Sequence, residues 1–75
     1  MSPEKLTHMA NQIATFFRLK PEAEAEAAIA AHINDFWEPR MRRQLLELVA
    51  AGGAGLEPRV IAAAAQVRRP EGVHA

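Results

Sequence analysis

Cysteine and tyrosine are missing from this 75-residue chain, and its one serine is Ser2. A secreted miniprotein of this length is usually stapled by disulfides, so the lack of cysteine points to a reducing compartment. It also rules out a cysteine nucleophile, and Ser2, placed where a helix cap belongs, is a poor serine nucleophile. The start lacks a basic segment followed by an apolar run, so no signal peptide is expected. No stretch approaches the roughly 20 apolar residues needed to cross a bilayer. These absences together suggest a soluble, cytoplasmic protein. Strand-like alternation and internal repeats are absent as well.

Charge of one sign is also lacking, since nine bases balance nine acids, which argues against a general nucleic-acid binder. The balance is uneven along the chain, however. Residues 1–39 hold three bases against six acids, and residues 40–75 hold six arginines against three glutamates. Such an arrangement either orients the protein on a partner or holds its own halves together.

What is abundant is alanine. The chain has 16 alanines beside 21 larger apolar residues, a composition that favours helix but fills little volume. A core of this size, without disulfide or metal, rarely supplies more than about 3–5 kcal/mol. That shortfall is a first indication of a partner.

The expected architecture is a single all-α domain over residues 1–75, made of about four short helices joined by tight Pro/Gly turns. Ser2 caps a first helix over residues 3–18, with Pro3 at its first position. Leu6, Met9, Ala10, Ile13, Phe16 and Phe17 form its core-facing stripe, and His8 lies opposite. Pro21 opens the second helix as its first residue, Glu22, Glu24 and Glu26 sit at its positive end, and Ala25, Ile29, His32, Ile33 and Phe36 are its apolar side. It should stop near Trp37, because Pro39 disfavours helical geometry at Glu38. Pro39 starts a third helix with Met41, Leu45, Leu48 and Val49 inward, ended by the glycine run at 52–55. A shorter fourth helix begins around Glu57-Pro58, carries Val60, Ala64 and Val67, and stops at Pro70, leaving residues 70–75 as a frayed tail.

No catalytic, cofactor-binding or metal-binding residue is expected. His8, His32 and His74 lack metal-ligand spacing. Glu22, Glu24 and Glu26 point in three directions, and the glycine run lacks the Lys-Ser/Thr of a phosphate-binding loop. The informative stretch runs from His32 to Arg43, where two large aromatics precede a proline junction and three arginines follow. Arginines at a helix start oppose the macrodipole by roughly 0.3–1 kcal/mol each, so local helix stability does not account for them. Three readings compete. Glu38 and Asp35 neutralise the arginines while Phe36 and Trp37 fill the core; or the arginines bind nucleic acid; or the segment is a protein interface. The last has the most support, because Trp and Arg are the residues most enriched at binding hot spots. Arg40, Arg43 and Glu47 share the polar face of the third helix, and Arg42 and Leu46 sit together beside the core stripe.

The string AAHINDFWEPRMRRQLLEL, following LTHMANQIATFFR and followed by GLEPRVIAAAAQVRRP, resembles the delta subunit of cytoplasmic NAD-dependent, molybdenum-containing formate dehydrogenases. The Phe36–Arg42 core is the specific part, with Glu38 where an aspartate is expected. The resemblance implies a complex that oxidises formate to carbon dioxide and passes electrons to NAD. Its alpha subunit holds the bis-molybdopterin guanine dinucleotide and iron–sulfur clusters, while FMN and the NAD site belong to other subunits. The delta chain is implied to bind no cofactor, to catalyse nothing itself, and to support assembly or stability. The interface expected from this is His32, Phe36, Trp37, Pro39, Arg40, Met41, Arg42, Arg43 and Leu46. Phe36 and Trp37 would be apolar anchors on the alpha subunit, and the arginines its polar contacts, with neither nucleic acid nor membrane as partner. On that expectation, Trp37→Ala and Arg42→Ala weaken copurification and leave helicity largely intact. The alternative is a transient chaperone for insertion of the molybdopterin cofactor, its phosphates held by Arg40, Arg42 and Arg43, which leaves before the enzyme is active.

Overall fold

The computed structural model describes residues 1–70, and all of their regular structure is helical. Helix α1 spans Pro3–Phe16, α2 Glu22–Phe36, α3 Pro39–Ala50 and α4 Pro58–Ala63, the last running into a 3₁₀ turn at Ala64–Gln66. The expected tail beyond Pro70 lies outside the described residues. Pro70 itself is buried, so the packed part of the chain runs one residue further than expected.

Three helices share one starting device. Ser2, Glu38 and Glu57 each precede a proline and each adopt extended geometry, with ψ of 150°, 156° and 143°. A proline ring pushes the preceding residue out of the helical region, which is the conformation an N-cap needs, and its own missing N–H falls where no partner is available. At Ser2 the hydroxyl adds a bond, accepting the Lys5 N–H at 3.1 Å. Helix α2 differs by one residue from expectation. Pro21 is the N-cap rather than the first helical residue, because its ψ of 151° is extended while its carbonyl already accepts the Ala25 N–H at 2.8 Å.

Helix α3 ends in a Schellman motif. The Gly53 N–H donates to the Leu48 carbonyl at 2.8 Å, and the Gly52 N–H to the Val49 carbonyl at 3.0 Å. Gly52 and Gly53 have φ of +118° and +68°, values that side chains with a Cβ rarely adopt.

The core joins all four helices through Leu6, Ile29, Ile33, Leu45 and Val60, each fully buried. Alanine supplies much of the remainder: Ala10, Ala14, Ala25, Ala30, Ala63 and Ala64 are buried too. Small side chains let the helix backbones approach closely, with α4 lying mainly on α2. The radius of gyration is 11.5 Å, against about 11.4 Å for a packed chain of this length, so the helices form one body.

The wheel-based inward faces need correction at two aromatic residues. Phe16 and Phe36, both expected inside, are 79% and 73% exposed. On α1 the buried stripe is Leu6, Ala10 and Ala14, rotated away from the larger side chains. Met9, Ile13 and Phe17 pack against the edge of this stripe and are only partly buried. On α2, Phe36 is the last helical residue and Trp37 leaves the helix with ψ of 139°. The indole, only 6% exposed, then fills the end of the core that the wheel assigns to Phe36.

Candidate docking surface

The turn from α2 to α3 carries most of the expected interface residues, and the structure divides them into two groups. Trp37 and Arg42 face the protein's own interior. Arg42 is half-buried, and its Nη1 donates to the Trp37 carbonyl at 3.0 Å while its Nε donates to the Arg68 carbonyl at 3.1 Å. An arginine at a helix start is thereby explained. Two carbonyls at the corner would otherwise lack a donor, and the planar guanidinium reaches both. Both residues on which the expected interface leans most, Trp37 and Arg42, are thus engaged within the chain itself. Met41 is half-buried against the core.

The other group faces solvent. Phe36, Pro39, Arg40 and Arg43 are exposed. Phe36 touches His32, with ring centroids 4.8 Å apart and planes tilted by 38°. His32 is half-buried and lines a shallow groove of 320 Å³ with Met9, Ile13, Phe16, Phe17 and the edge of Trp37. At the far end Phe16 and Phe17 meet edge to face at 5.0 Å, and Leu19 beyond them is 88% exposed. Phe16, Leu19 and Phe36 are large apolar side chains that the chain's own packing leaves in water.

Arg43 and Leu46 belong to a second groove, of 680 Å³, between α3 and the α4 turn. Leu46 is thus paired with Arg43 rather than with Arg42, whose guanidinium turns to the carbonyls described above. Arg42 and Arg43, neighbours in sequence, consequently turn to different places.

Sequence reasoning missed the polar clasps that hold this corner. Asn34 donates from Nδ2 to the Gln66 carbonyl at 3.1 Å and accepts the Arg68 N–H on Oδ1 at 2.8 Å. The Arg68 guanidinium returns a bond to the Asn34 carbonyl at 2.9 Å. Asn11 repeats the arrangement at the α3–α4 loop, bonding the Gly55 carbonyl at 2.9 Å and the Glu57 N–H at 2.8 Å. In both cases one carboxamide pairs with the carbonyl of one residue and the N–H of the residue two further on, as a neighbouring strand would. Arg59 acts likewise on the α1–α2 loop, donating to the carbonyls of Arg18 and Lys20. One signal was available: the chain's only two asparagines both stand inside helices, where asparagine is a poor former.

The arrangement offers little to reaction chemistry. Among the described residues no group of three or more His, Asp or Glu side chains is placed to hold a metal ion. The sequence has no thiolate to ligate an iron–sulfur cluster. No described helix is long and apolar enough to cross a membrane. What the surface offers is exposed apolar side chains together with exposed arginines, the composition of a protein contact.

Comparison with known proteins agrees with this composition. A search of curated proteins returns no match. The family model described as NADH-dependent formate dehydrogenase delta subunit FdsD matches residues 5–64, from the start of α1 through the Trp37–Arg42 corner to the first residue of the 3₁₀ turn. The match ends inside the last of the three sequence strings that carry the resemblance, short of Arg68 and Arg69. With most of the chain covered, including the segment that sets the corner, this protein belongs to the NADH-dependent formate dehydrogenase delta subunit family.

Proposed function

We propose that this delta subunit is a non-catalytic, cytoplasmic accessory chain that docks on the molybdenum-containing alpha subunit and supports assembly or stability of the enzyme. The observation that carries the reading is the exposure of Phe36, a large apolar side chain on a corner that Trp37 and Arg42 fix from inside. Burying one such aromatic ring in a partner pocket contributes about 1.5–3 kcal/mol, and the rigid corner lowers the ordering cost of doing so. Formate oxidation and electron transfer to NAD take place on cofactors of the other subunits, and this chain binds none. The separation of Arg42 from Arg43 favours a docking subunit over a chaperone holding cofactor phosphates, which needs converging cations.

Purification of the active enzyme from cells co-expressing all subunits tests the reading. The delta chain is expected to stay in constant ratio with the alpha subunit through every column. Its absence from fully active enzyme would instead favour the transient chaperone.

A further inference from the structure

The groove between α3 and α4 has a chemistry distinct from that of the aromatic corner. Its floor is Leu46, Val49, Ile61 and Ala65, and Arg43 and Arg69 stand on its two sides. Leu46 and Val49 are only half-buried, and Ile61 remains 37% exposed. Arg43, Leu46, Glu47 and Ala50 succeed one another at helical spacing along one face of α3, so the wall is continuous. Ile61 lies close over Gly53, where a Cβ would come within 2.8 Å of its Cδ1.

Charge indicates what lies on it. Two guanidiniums border the groove against one carboxylate, Glu47, and the exposed Arg40 stands one turn before Arg43 on the same helix. An apolar floor between two guanidiniums fits a protein segment with an apolar ridge flanked by Asp or Glu, which guanidinium binds in bidentate fashion. Nucleic acid would leave the floor uncovered. The groove on the α1–α2 face lacks such a rim and selects no partner charge.

We infer that the α3–α4 groove of this chain seats an acidic segment of the alpha subunit, its apolar residues on Leu46 and Ile61 and its carboxylates on Arg43 and Arg69. The inference rests on the docking reading above and names the partner chemistry at a second part of the same surface.

The test uses the complete enzyme. A photo-crosslinking residue, p-benzoylphenylalanine, replaces the exposed Ala65 in one preparation and Ile61 in another, and the joined peptides are identified by mass spectrometry. The expected product joins either position to an alpha-subunit segment carrying Asp or Glu around apolar residues. The double variant Arg43→Glu/Arg69→Glu is expected to reduce the delta chain retained by the enzyme about ten-fold, whereas Arg43→Lys/Arg69→Lys retains most of it. Crosslinking to a basic or uncharged segment, to a second copy, or to residues 71–75 of the same chain overturns the inference, as does no crosslink at either position. If the wild-type chain stays with the enzyme and Phe36→Ala releases it but the charge reversal does not, the groove assignment fails while the docking reading stands. If the wild-type chain is absent from active enzyme, the docking reading itself fails.

Discussion

Asn34 uses both ends of its carboxamide on one extended segment, and Arg42 reaches the same segment from the next helix. Together they hold Gln66 to Arg68 against the α2–α3 corner. Truncation removes hydrogen bonds to exposed backbone groups that water can reach, a net loss of about 0.5–1.5 kcal/mol. Asn34→Ala is accordingly expected to lower the free energy of unfolding by that amount in urea titrations. An unchanged midpoint would mean that water replaces the carboxamide without loss. Arg42→Lys keeps the charge but loses the fork, and a single ammonium cannot copy its geometry across two carbonyls. It is expected to destabilise by about 1 kcal/mol. Trp37→Ala removes the largest side chain of the core and should cost about 3–5 kcal/mol. In a domain this small that is most of the available stability. Circular dichroism is expected to show large loss of helix in this variant; full retention would contradict the interior placement of the indole. Reduced copurification of Trp37→Ala would therefore report on folding, not on contact.

Among the elements, helix starts and the end of α3 were legible because proline and glycine act locally, whereas α1 stops at Phe16 and α4 at Ala63, short of the expected 18 and 70. The ring of Pro3, Pro39 or Pro58 sets the conformation of the residue before it whatever the rest of the chain does, and the end of α3 follows from glycines that accept positive φ. Gly53→Ala tests this: a φ of +68° and contact with Ile61 predict destabilisation of about 1–2 kcal/mol, measured by thermal unfolding. A smaller loss would show that Ile61 and the turn relax freely. Inward faces were less legible, because a wheel weights side chains by size and assumes the helix continues. Ala14 displaced Phe16 from the buried stripe of α1, and the break after Phe36 let Trp37 enter the core. The clasps of Asn11 and Asn34 were not legible, since they join residues 44 and 32 positions apart or more, and local pattern carries no information on such distances.

On the scale of the whole molecule, the candidate surface was half readable. The unusual density of aromatic and arginine residues drew attention to the α2–α3 corner, whose residues the structure divides into two groups. Trp37 and Arg42 make the corner, while Phe36, Arg40 and Arg43 are presented by it. Composition cannot separate these tasks, because a tryptophan suits a core as well as an interface. Only the turn out of α2 decides which of two adjacent aromatics points inward. An acidic first half and an arginine-rich second half now take on a spatial meaning as well. Arg43 and Arg69 border the α3–α4 groove, whereas no lysine or arginine lines the groove on the α1–α2 face.

The two tasks come apart most directly in native mass spectrometry of the co-expressed enzyme carrying either the wild-type chain or Phe36→Ala, with thermal unfolding of each isolated full chain alongside. Phe36 lies on the surface, so its truncation should move the unfolding midpoint by no more than about 4 °C. Loss of the anchor should meanwhile deplete the delta chain from assemblies that contain the alpha subunit. Equal occupancy of wild-type and variant chains in those assemblies would contradict the account.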